Sequence, residues 1–372
     1  MTSLPDDLIR DEIAQLPDYN AGLALDRFRE LYGRDAVAKL DSNENPYGPS
    51  PQAIAVMREG AAGVARYPDA GDTALRMAIG AASGTPADRV IIGNGSEDLI
   101  GAIYRAVLRP GDRVVTICPS FGLHEFAAQG CGATVEKVHF GADWAFPLEG
   151  LIAALARPAR VLMFSSPSNP AGPAITRAQL EQLLGAVPAA TLVVFDEAYR
   201  EYLSGAFAFD ALAVLAASGR AWISLRTFSK AYGLAGARVG YGLCSHPAMA
   251  LALRKTRNPF AVNALAGTAA IAALADDAHL ARGVALTLSE RDRVSAALAD
   301  LGLAVAPAQG NFLFFQTPNG TTGQAFAEAL RHHGILIKGW QEEGWRDWAR
   351  VTIALPAEND AFLEALRQVL AA

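Results

Sequence analysis

The sequence predicts an α/β fold: a large domain with a mostly parallel central sheet, followed by a smaller α+β C-terminal domain. Short apolar runs alternate with helical patterns from about residue 90 to residue 195, as in a parallel sheet covered by helices. After about Val262 helical patterns dominate and the strands become few and short. We therefore expect an N-terminal arm over residues 1–45, a large domain over 46–262 and a small domain over 263–372.

The elements are expected in a regular order, with one or two short helices in residues 5–38. Apolar runs predict large-domain strands at 90–92, 113–118, 134–138, 161–165, 191–195, 221–225 and 239–243. Helical patterns predict helices at 51–60, 72–82, 99–108, 122–130, 148–156 and 177–186, the second with Asp72 as its N-cap. The small domain should hold strands at 303–306, 311–316, 335–338 and 350–354, with helices at 322–333 and 358–371.

Composition excludes several classes of protein. The chain has 372 residues, of which 51% are hydrophobic and 19% charged, enough to bury a sizeable core in two domains. The net charge of -6 gives no electrostatic footprint for nucleic acid. The densest basic cluster, at 254–257, is expected to end a helix. No run approaches the roughly 18 apolar residues that a membrane helix needs. We expect neither nucleic acid nor a membrane as partner.

The cysteines and the N-terminal residues favour a cytoplasmic protein. Cys118, Cys131 and Cys244 have no metal-ligand spacing and do not suggest a disulfide framework, which fits a reducing compartment. Residues 1–10 carry acidic groups and no apolar core, unlike a secretory signal peptide. We therefore expect a cytoplasmic location and no bound metal.

A glycine loop between a strand and a helix predicts an anion site. The residues Gly93-Asn94-Gly95-Ser96 follow an apolar strand and precede an apolar helix. The free N–H groups and the dipole of such a helix N-terminus both favour a phosphate. The dinucleotide pattern G-x-G-x-x-G fails at Asp98 and the P-loop lysine is missing, so neither nucleotide motif applies.

The stretch 224–242 places a lysine where its charge is costly. Ser229 and Lys230 follow an apolar strand, and Arg238 comes eight residues after Lys230. Desolvation penalises a buried ammonium, and a neutral lysine amine forms a Schiff base with an aldehyde. Arg238 and Ser229 would hold a phosphate beside it. An aldehyde that carries a phosphate describes pyridoxal phosphate, although a Ser-Lys pair by itself is more often a solvated turn.

Four more residues fit the same cofactor. Asp196 at the end of a strand would pair with the pyridine nitrogen and keep the ring an electron sink, or would simply cap a helix. Tyr199 would bond the ring hydroxyl O3′ or pack in the core. Asn169 would donate to the same O3′ or serve only as a turn former. Phe121 would stack on the ring or belong to the core.

The ordered set of motifs resembles the fold type I pyridoxal-phosphate-dependent aminotransferases, and most closely the histidinol-phosphate aminotransferase family. The general motifs lie at 93–96, 119–121, 168–172, 196–199 and 229–238. The motifs closer to that family lie at 40–51, 66–69 and 226–231. The resemblance spans roughly residues 35 to 370.

The resemblance implies a role for each residue around the cofactor. Lys230 would carry the cofactor and move the proton between the substrate and cofactor carbons. The phosphate would be held by the backbone at Gly95 and Ser96, with Ser229 and Arg238. The family brings Tyr67 to the phosphate of the neighbouring subunit, which implies a homodimer with shared active sites. The matched sites include none of the six histidines, to which we assign no role.

For the substrate, the resemblance implies that Arg350 clamps the α-carboxylate, while Asn43 and Tyr47 line the pocket. Lys338 stands where the family has a second arginine for the phosphate of histidinol phosphate, and lysine offers only a point charge there. A second departure is Ala354-Leu355, where the family often has Gly-Thr.

The implied activity is amino transfer from histidinol phosphate to 2-oxoglutarate, giving imidazole acetol phosphate and glutamate. An aromatic amino-acid aminotransferase and a decarboxylase of an O-phosphorylated amino acid on the same fold remain as alternatives. A domain that only senses pyridoxal phosphate is disfavoured, because no spare basic segment could bind DNA.

Overall fold

The computed structural model describes residues 8–18, 20–318 and 320–371. The part of the predicted arm up to residue 7 lies outside these described residues. The α-helices are α1 Asp11–Ala14, α2 Leu25–Tyr32, α3 Pro51–Gly60, α4 Thr73–Ser83, α5 Ser96–Val107, α6 Leu123–Gln129, α7 Leu148–Leu155, α8 Arg177–Ala186, α9 Ala211–Ala217, α10 Pro247–Thr256, α11 Ala264–Leu274, α12 Asp277–Asp300, α13 Gly323–His332 and α14 Pro356–Ala371. The strands are β1 Ala38–Lys39, β2 Val90–Gly93, β3 Arg113–Cys118, β4 Thr134–His139, β5 Val161–Ser165, β6 Leu192–Asp196, β7 Trp222–Thr227, β8 Gly240–Cys244, β9 Phe312–Gln316, β10 Ile335–Leu336, β11 Lys338–Gly339 and β12 Trp348–Thr352.

Seven strands form the large central sheet, in the order β2-β8-β7-β6-β5-β3-β4. The pairs among β3, β4, β5, β6 and β7 are parallel, and only β8 runs antiparallel to its two neighbours. Every residue of β5, β6 and β7 is buried, as expected for continuous apolar runs in a sheet that is covered on both faces. The predicted mostly parallel sheet is confirmed.

A second, smaller layer is built from the C-terminal part of the chain. Strands β11, β12 and β9 form an antiparallel sheet, and alternate residues of β9 face different cores. Strand β1 pairs in parallel with β10, so the segment around residue 38 is bonded to this C-terminal layer. The division into an arm, a large domain and a small domain, with boundaries at 45 and 262, stays a prediction.

The structure corrects two of the predicted strands. Residues 303–306 form no strand and contribute only an isolated bridge from Val305 to Phe315. The single strand predicted at 335–338 is divided into β10 and β11, which belong to different sheets. Apolar patterning shows that a segment is extended, but its pairing depends on a partner that lies far away in the sequence.

Asp72 occupies the N-cap position of α4 as predicted, but its side chain does not cap the helix. Asp72 has a left-handed backbone and makes no capping hydrogen bond, and its carboxylate instead pairs with the Arg257 guanidinium at 2.5 Å. The carboxylate of Asp69 takes its place, because it accepts the Thr73 N–H at 2.8 Å and the Gly71 N–H at 2.9 Å. These hydrogen bonds hold the pKa of Asp69 at about 2.

Candidate active site

A cavity of about 850 Å³ opens where β5, β6 and β7 end, and it collects nearly all of the predicted site residues. Residues from the N-terminal segment and from the stretch after β11 form its outer part. The predicted residues that line it are Asn43, Gly95, Ser96, Phe121, Asn169, Asp196, Tyr199, Ser229, Lys230, Arg238, Lys338 and Arg350. Two predicted residues, Tyr47 and Tyr67, are not part of its lining.

Lys230 lies three residues beyond the end of β7, with its amine in the cavity. Its Nζ donates a hydrogen bond to the carbonyl oxygen of Ser42 at 3.1 Å and lies 5.8 Å from the centre of the Tyr199 ring. Burial, reinforced by the positive charge of Arg350, lowers the pKa of Lys230 from 10.5 to about 7. A large fraction of this amine is therefore neutral and nucleophilic near neutral pH.

Asp196 is the last residue of β6, and a histidine holds its carboxylate in place. His124 Nε2 lies 3.1 Å from Asp196 Oδ2, and His124 Nδ1 lies 2.9 Å from Ser120 Oγ. An ionised carboxylate only accepts hydrogen bonds, so Nε2 is the nitrogen that donates. The other Asp196 oxygen accepts the Ala198 N–H at 3.0 Å. His124 is fully buried, and our assignment of no role to the histidines overlooked this contact.

Asn43 and Arg350 are also held on the cavity floor by buried hydrogen bonds. Asn43 Nδ2 donates to the Tyr199 hydroxyl at 2.9 Å, and its backbone N–H donates to Thr352 Oγ1 at 2.9 Å. Arg350 Nη1 donates to Asn169 Oδ1 at 2.6 Å, and its Nη2 donates to the Asp41 carbonyl at 2.6 Å. Both are almost completely buried, so their orientations are fixed by the protein.

Lys338 and Arg350 are direct partners across the β11–β12 pair, which places two cations side by side at the cavity. Lys338 Nζ donates to the Asn20 carbonyl at 2.7 Å. Burial and the nearby charge of Arg350 lower the pKa of Lys338 to about 8. An anion that enters here would meet both groups and would favour the charged form of Lys338.

The glycine loop forms a cradle at the start of α5. Gly95 has a φ of +80°, a conformation that favours glycine, and helix α5 begins at the next residue. At Gly240 a Cβ atom would collide with the backbone nitrogen of Ser96, so the two segments approach closely only without side chains. Arg238 reaches the same place and pairs with Glu97 at 2.6 Å. Backbone N–H groups at a helix N-terminus beside an arginine suit a phosphate.

A buried ion pair lies beneath the floor, and the sequence did not reveal it. Arg226 donates from Nε and Nη2 to Glu197 Oε2 at 3.1 and 2.9 Å, and Ser224 Oγ bonds the same oxygen. Glu197 follows Asp196 directly, and Arg226 precedes Lys230 by four residues. The pair therefore ties together the two segments that carry the central carboxylate and the central amine.

The two remaining predicted residues lie elsewhere. Tyr67 is 83% exposed and stacks on Phe260, with 4.6 Å between the ring centres. Tyr47 lies against helix α12 near Gly283. The roles that were predicted for both tyrosines stay predictions. Among the residues that the structure describes, no group of His, Cys, Asp and Glu could hold a metal ion. In the same residues, no helix is long and apolar enough to span a membrane.

Comparisons with known proteins agree with this fold. A family model described as aminotransferase class I and II matches residues 35–366, so the chain belongs to that class of enzymes. It is 45% identical to histidinol-phosphate aminotransferase 1 of Mesorhizobium japonicum, over 98% of this chain and 99% of that protein. It is 44% identical to histidinol-phosphate aminotransferase 3 of Rhizobium meliloti, over 99% of each chain. Within the class, its family is that of the histidinol-phosphate aminotransferases, as the motifs predicted.

A solved structure supports the fold independently. The chain is similar to the crystal structure of histidinol-phosphate aminotransferase from Sinorhizobium meliloti in complex with pyridoxal-5'-phosphate. The TM-score is 0.88 at 32% sequence identity, and the similarity covers 98% of each chain. The predicted fold type I architecture is therefore confirmed.

Proposed function

We propose that this chain is a pyridoxal-phosphate-dependent aminotransferase that moves the amino group of histidinol phosphate to 2-oxoglutarate. The observation that carries the proposal is one cavity that holds a lysine with a pKa near 7, a strand-end carboxylate, an anion cradle and two adjacent cations. The names of the relatives supply the amino donor, since each acts by its name on histidinol phosphate. The products would be imidazole acetol phosphate and glutamate.

The residues present fit pyridoxal phosphate. The cradle at Gly95 and Ser96, where Gly240 leaves no room for a side chain, would hold the phosphate with Ser229 and Arg238. Phe121 would cover the ring, while Asn169 and Tyr199 would contact its hydroxyl. When bound, this cofactor supplies an aldehyde that reacts with amines and a ring that withdraws electrons from the carbon that loses a proton.

The chain's own groups perform the proton transfers and the positioning. The Lys230 amine, with a pKa near 7, takes the proton from the substrate carbon and returns it as a general base and acid. Asp196, oriented by His124, would keep the ring nitrogen protonated. Asn43 and Tyr199 fix each other's orientation beside the amine. Buried hydrogen bonds set these positions before any ligand arrives, which reduces the reorganisation that the reaction needs.

The substrate anion would be bound by Arg350 with the help of Lys338. Arg350 presents a planar fork that matches the α-carboxylate of glutamate or 2-oxoglutarate. Histidinol phosphate has no carboxylate, so its phosphate would take the same place. Lys338, opposite Arg350 across the strand pair, would supply the second charge for the dianion.

We also propose a cytoplasmic homodimer with shared active sites. The exposed Tyr67–Phe260 stack is an apolar surface of the kind that a second subunit covers. The cysteines among the described residues are free, which fits a reducing compartment.

A donor screen tests the proposal. The purified holoenzyme is assayed with 2-oxoglutarate and histidinol phosphate, phenylalanine or another amino acid, and carbon dioxide release is measured with an O-phosphorylated amino acid. We expect histidinol phosphate to give the highest kcat/KM and no release of carbon dioxide. Borohydride reduction and peptide mapping should place a pyridoxyl label on Lys230. A preference for phenylalanine, decarboxylation or a label on another lysine would contradict the proposal.

A further inference from the structure

We infer that Glu342 and Lys137 form a subsite for the end of the amino donor that lies away from the reacting carbon. This subsite distinguishes the two donors, histidinol phosphate and glutamate. Glu342 accepts a hydrogen bond from the imidazole N–H of histidinol phosphate, and Lys137 binds the side-chain carboxylate of glutamate. The inference rests on the proposed function and adds to it how one cavity serves two unlike substrates.

A network of hydrogen bonds holds the Glu342 carboxylate on the cavity wall. Its Oε1 accepts the Cys118 thiol at 3.1 Å and lies 3.6 Å from Lys137 Nζ, and its Oε2 accepts the Trp340 indole N–H at 3.3 Å. Lys137 Nζ also lies 3.2 Å from a Glu125 carboxylate oxygen. Side-chain exposure is 20% for Glu342 and 34% for Lys137, so a ligand in the cavity can reach both.

Two connections place this pair close to the reacting groups. On one side Glu342 follows Lys338, the partner of Arg350, by four residues, a path of at most about 14 Å. On the other side Cys118 ends β3 two residues before Ser120, which bonds the His124 that holds Asp196. The pair therefore lies on the cavity wall and is connected along the chain both to the anion clamp and to the segment that holds the strand-end carboxylate.

The chemistry of the two donors requires a subsite of this kind. With its phosphate or its α-carboxylate on Arg350, each donor directs its remaining end to the same part of the cavity. In histidinol phosphate that end is an imidazole, which donates a hydrogen bond through its N–H. In glutamate it is a carboxylate, which only accepts hydrogen bonds. An adjacent carboxylate and ammonium supply one partner for each. A phenyl ring would leave the Glu342 carboxylate without a ligand partner, which disfavours aromatic donors.

The test separates the two half-reactions of the holoenzyme. Each donor, histidinol phosphate or glutamate, is mixed with the enzyme alone and the absorbance change of the cofactor is followed. We expect Glu342→Ala to lower kcat/KM for histidinol phosphate roughly 10- to 100-fold, the loss expected for one hydrogen bond to a charged group. The glutamate half-reaction should change less than about threefold. Glu342→Gln should recover part of the loss, because its amide oxygen still accepts.

Lys137→Met should show the opposite pattern, a loss with glutamate and little change with histidinol phosphate. Glu364→Ala is the control, because it removes the same charge from an exposed side chain on α14 that does not line the cavity and should leave both half-reactions unchanged. Equilibrium binding gives a readout without turnover. Glutarate, a dicarboxylate without an amine, should bind more weakly to Lys137→Met and normally to Glu342→Ala.

An equal loss in both half-reactions of Glu342→Ala would overturn the inference, since it would make Glu342 only a contact between the C-terminal layer and the central sheet. Unchanged rates in both variants would overturn it as well. If Glu342→Ala does not fold, as judged by circular dichroism, Glu342→Gln and Lys137→Met decide the question. The first should then lower mainly the rate with histidinol phosphate, and the second mainly the rate with glutamate. A wild-type enzyme that does not use histidinol phosphate would instead refute the proposed function, and the glutamate and glutarate measurements would still test Lys137.

Discussion

The floor and the mouth of the cavity are built in different ways. On the floor, Asp196 and Arg350 come from strands, are each only 5% exposed, and bond to other buried groups. At the mouth, Lys137 and Glu342 are several times more exposed and meet across segments that are far apart in the sequence. By the proposed function, the floor would fix the groups that carry out amino transfer, while the mouth would contact the part of the substrate that differs between the two donors.

The largest expected effect is at the centre of the floor. Lys230→Ala removes the amine that we propose takes and returns the substrate proton, and general acid–base catalysis contributes about a hundred- to ten-thousandfold in rate. We expect steady-state transamination to fall by at least that factor, while circular dichroism remains unchanged. Turnover within tenfold of the wild type would mean that catalysis does not depend on this amine.

The ion pair beneath the floor should matter mainly for stability. Glu197→Gln leaves the Arg226 charge buried without its partner, which costs about 3–5 kcal/mol in free energy of unfolding. Glu97→Gln is the matched control, because it breaks an arginine pair at the cradle that is about two-fifths exposed and should cost at most about 1 kcal/mol. Urea unfolding of the two variants measures the difference. Equal losses in free energy of unfolding would show that burial does not make one ion pair more important for stability than the other.

Asp196→Asn removes the negative charge of this side chain on the floor and keeps its size and shape nearly the same. The amide is neutral and cannot keep the ring nitrogen protonated, so we expect a loss in turnover equivalent to about 1.5–3 kcal/mol. We expect the fold to stay that of the wild type. Near-normal turnover would show that Asp196 is not the partner of the ring nitrogen.

Lys338→Ala moves the comparison to the cation beside Arg350 and should act on substrate choice. Removing this cation should raise KM for histidinol phosphate and lower its kcat/KM relative to that for phenylalanine by about tenfold. Phenylalanine has no phosphate to lose a contact with, which makes it the internal control. A ratio that stays constant in the variant would favour an aromatic aminotransferase, with Trp340 as a candidate wall of its side-chain pocket.

The smallest effect is a dependence of stability on pH in the protein without cofactor. Lys230 binds its proton up to pH 10.5 in the unfolded chain but only to about pH 7 in the folded one. Between these values the unfolded state holds more protons, so the free energy of unfolding should rise with pH. Thermal melts at pH 7.5 and 9 should show this rise in the wild type and a smaller one in Lys230→Met. Identical slopes would mean that burial does not lower the pKa of this amine.

The sequence was most informative where a motif follows directly on a strand. Asp196, Lys230 and the glycine loop could be located because apolar runs and glycines mark the ends of buried elements. His124, the Glu197–Arg226 pair and the Lys137–Glu342 pair could not be found, since each contact joins residues that only the fold brings together. For His124 the local sequence indicates only the contact with Ser120, four residues before it, and not the contact with Asp196. The division of residues 335–338 between two sheets depends on pairing partners and left no pattern in the local sequence.

The contact between Asn43 and Thr352 has a consequence for how the protein is made. These two residues are 309 positions apart, and the same asparagine also bonds Tyr199 beside the Lys230 amine. A ribosome adds about 5–20 residues per second, so the asparagine waits roughly 15–60 s before its partner exists. The central sheet can form earlier from strands that are near one another in the chain. The pocket is therefore closed last, and a nascent chain that stalls before residue 352 would hold its sheet but lack a finished site.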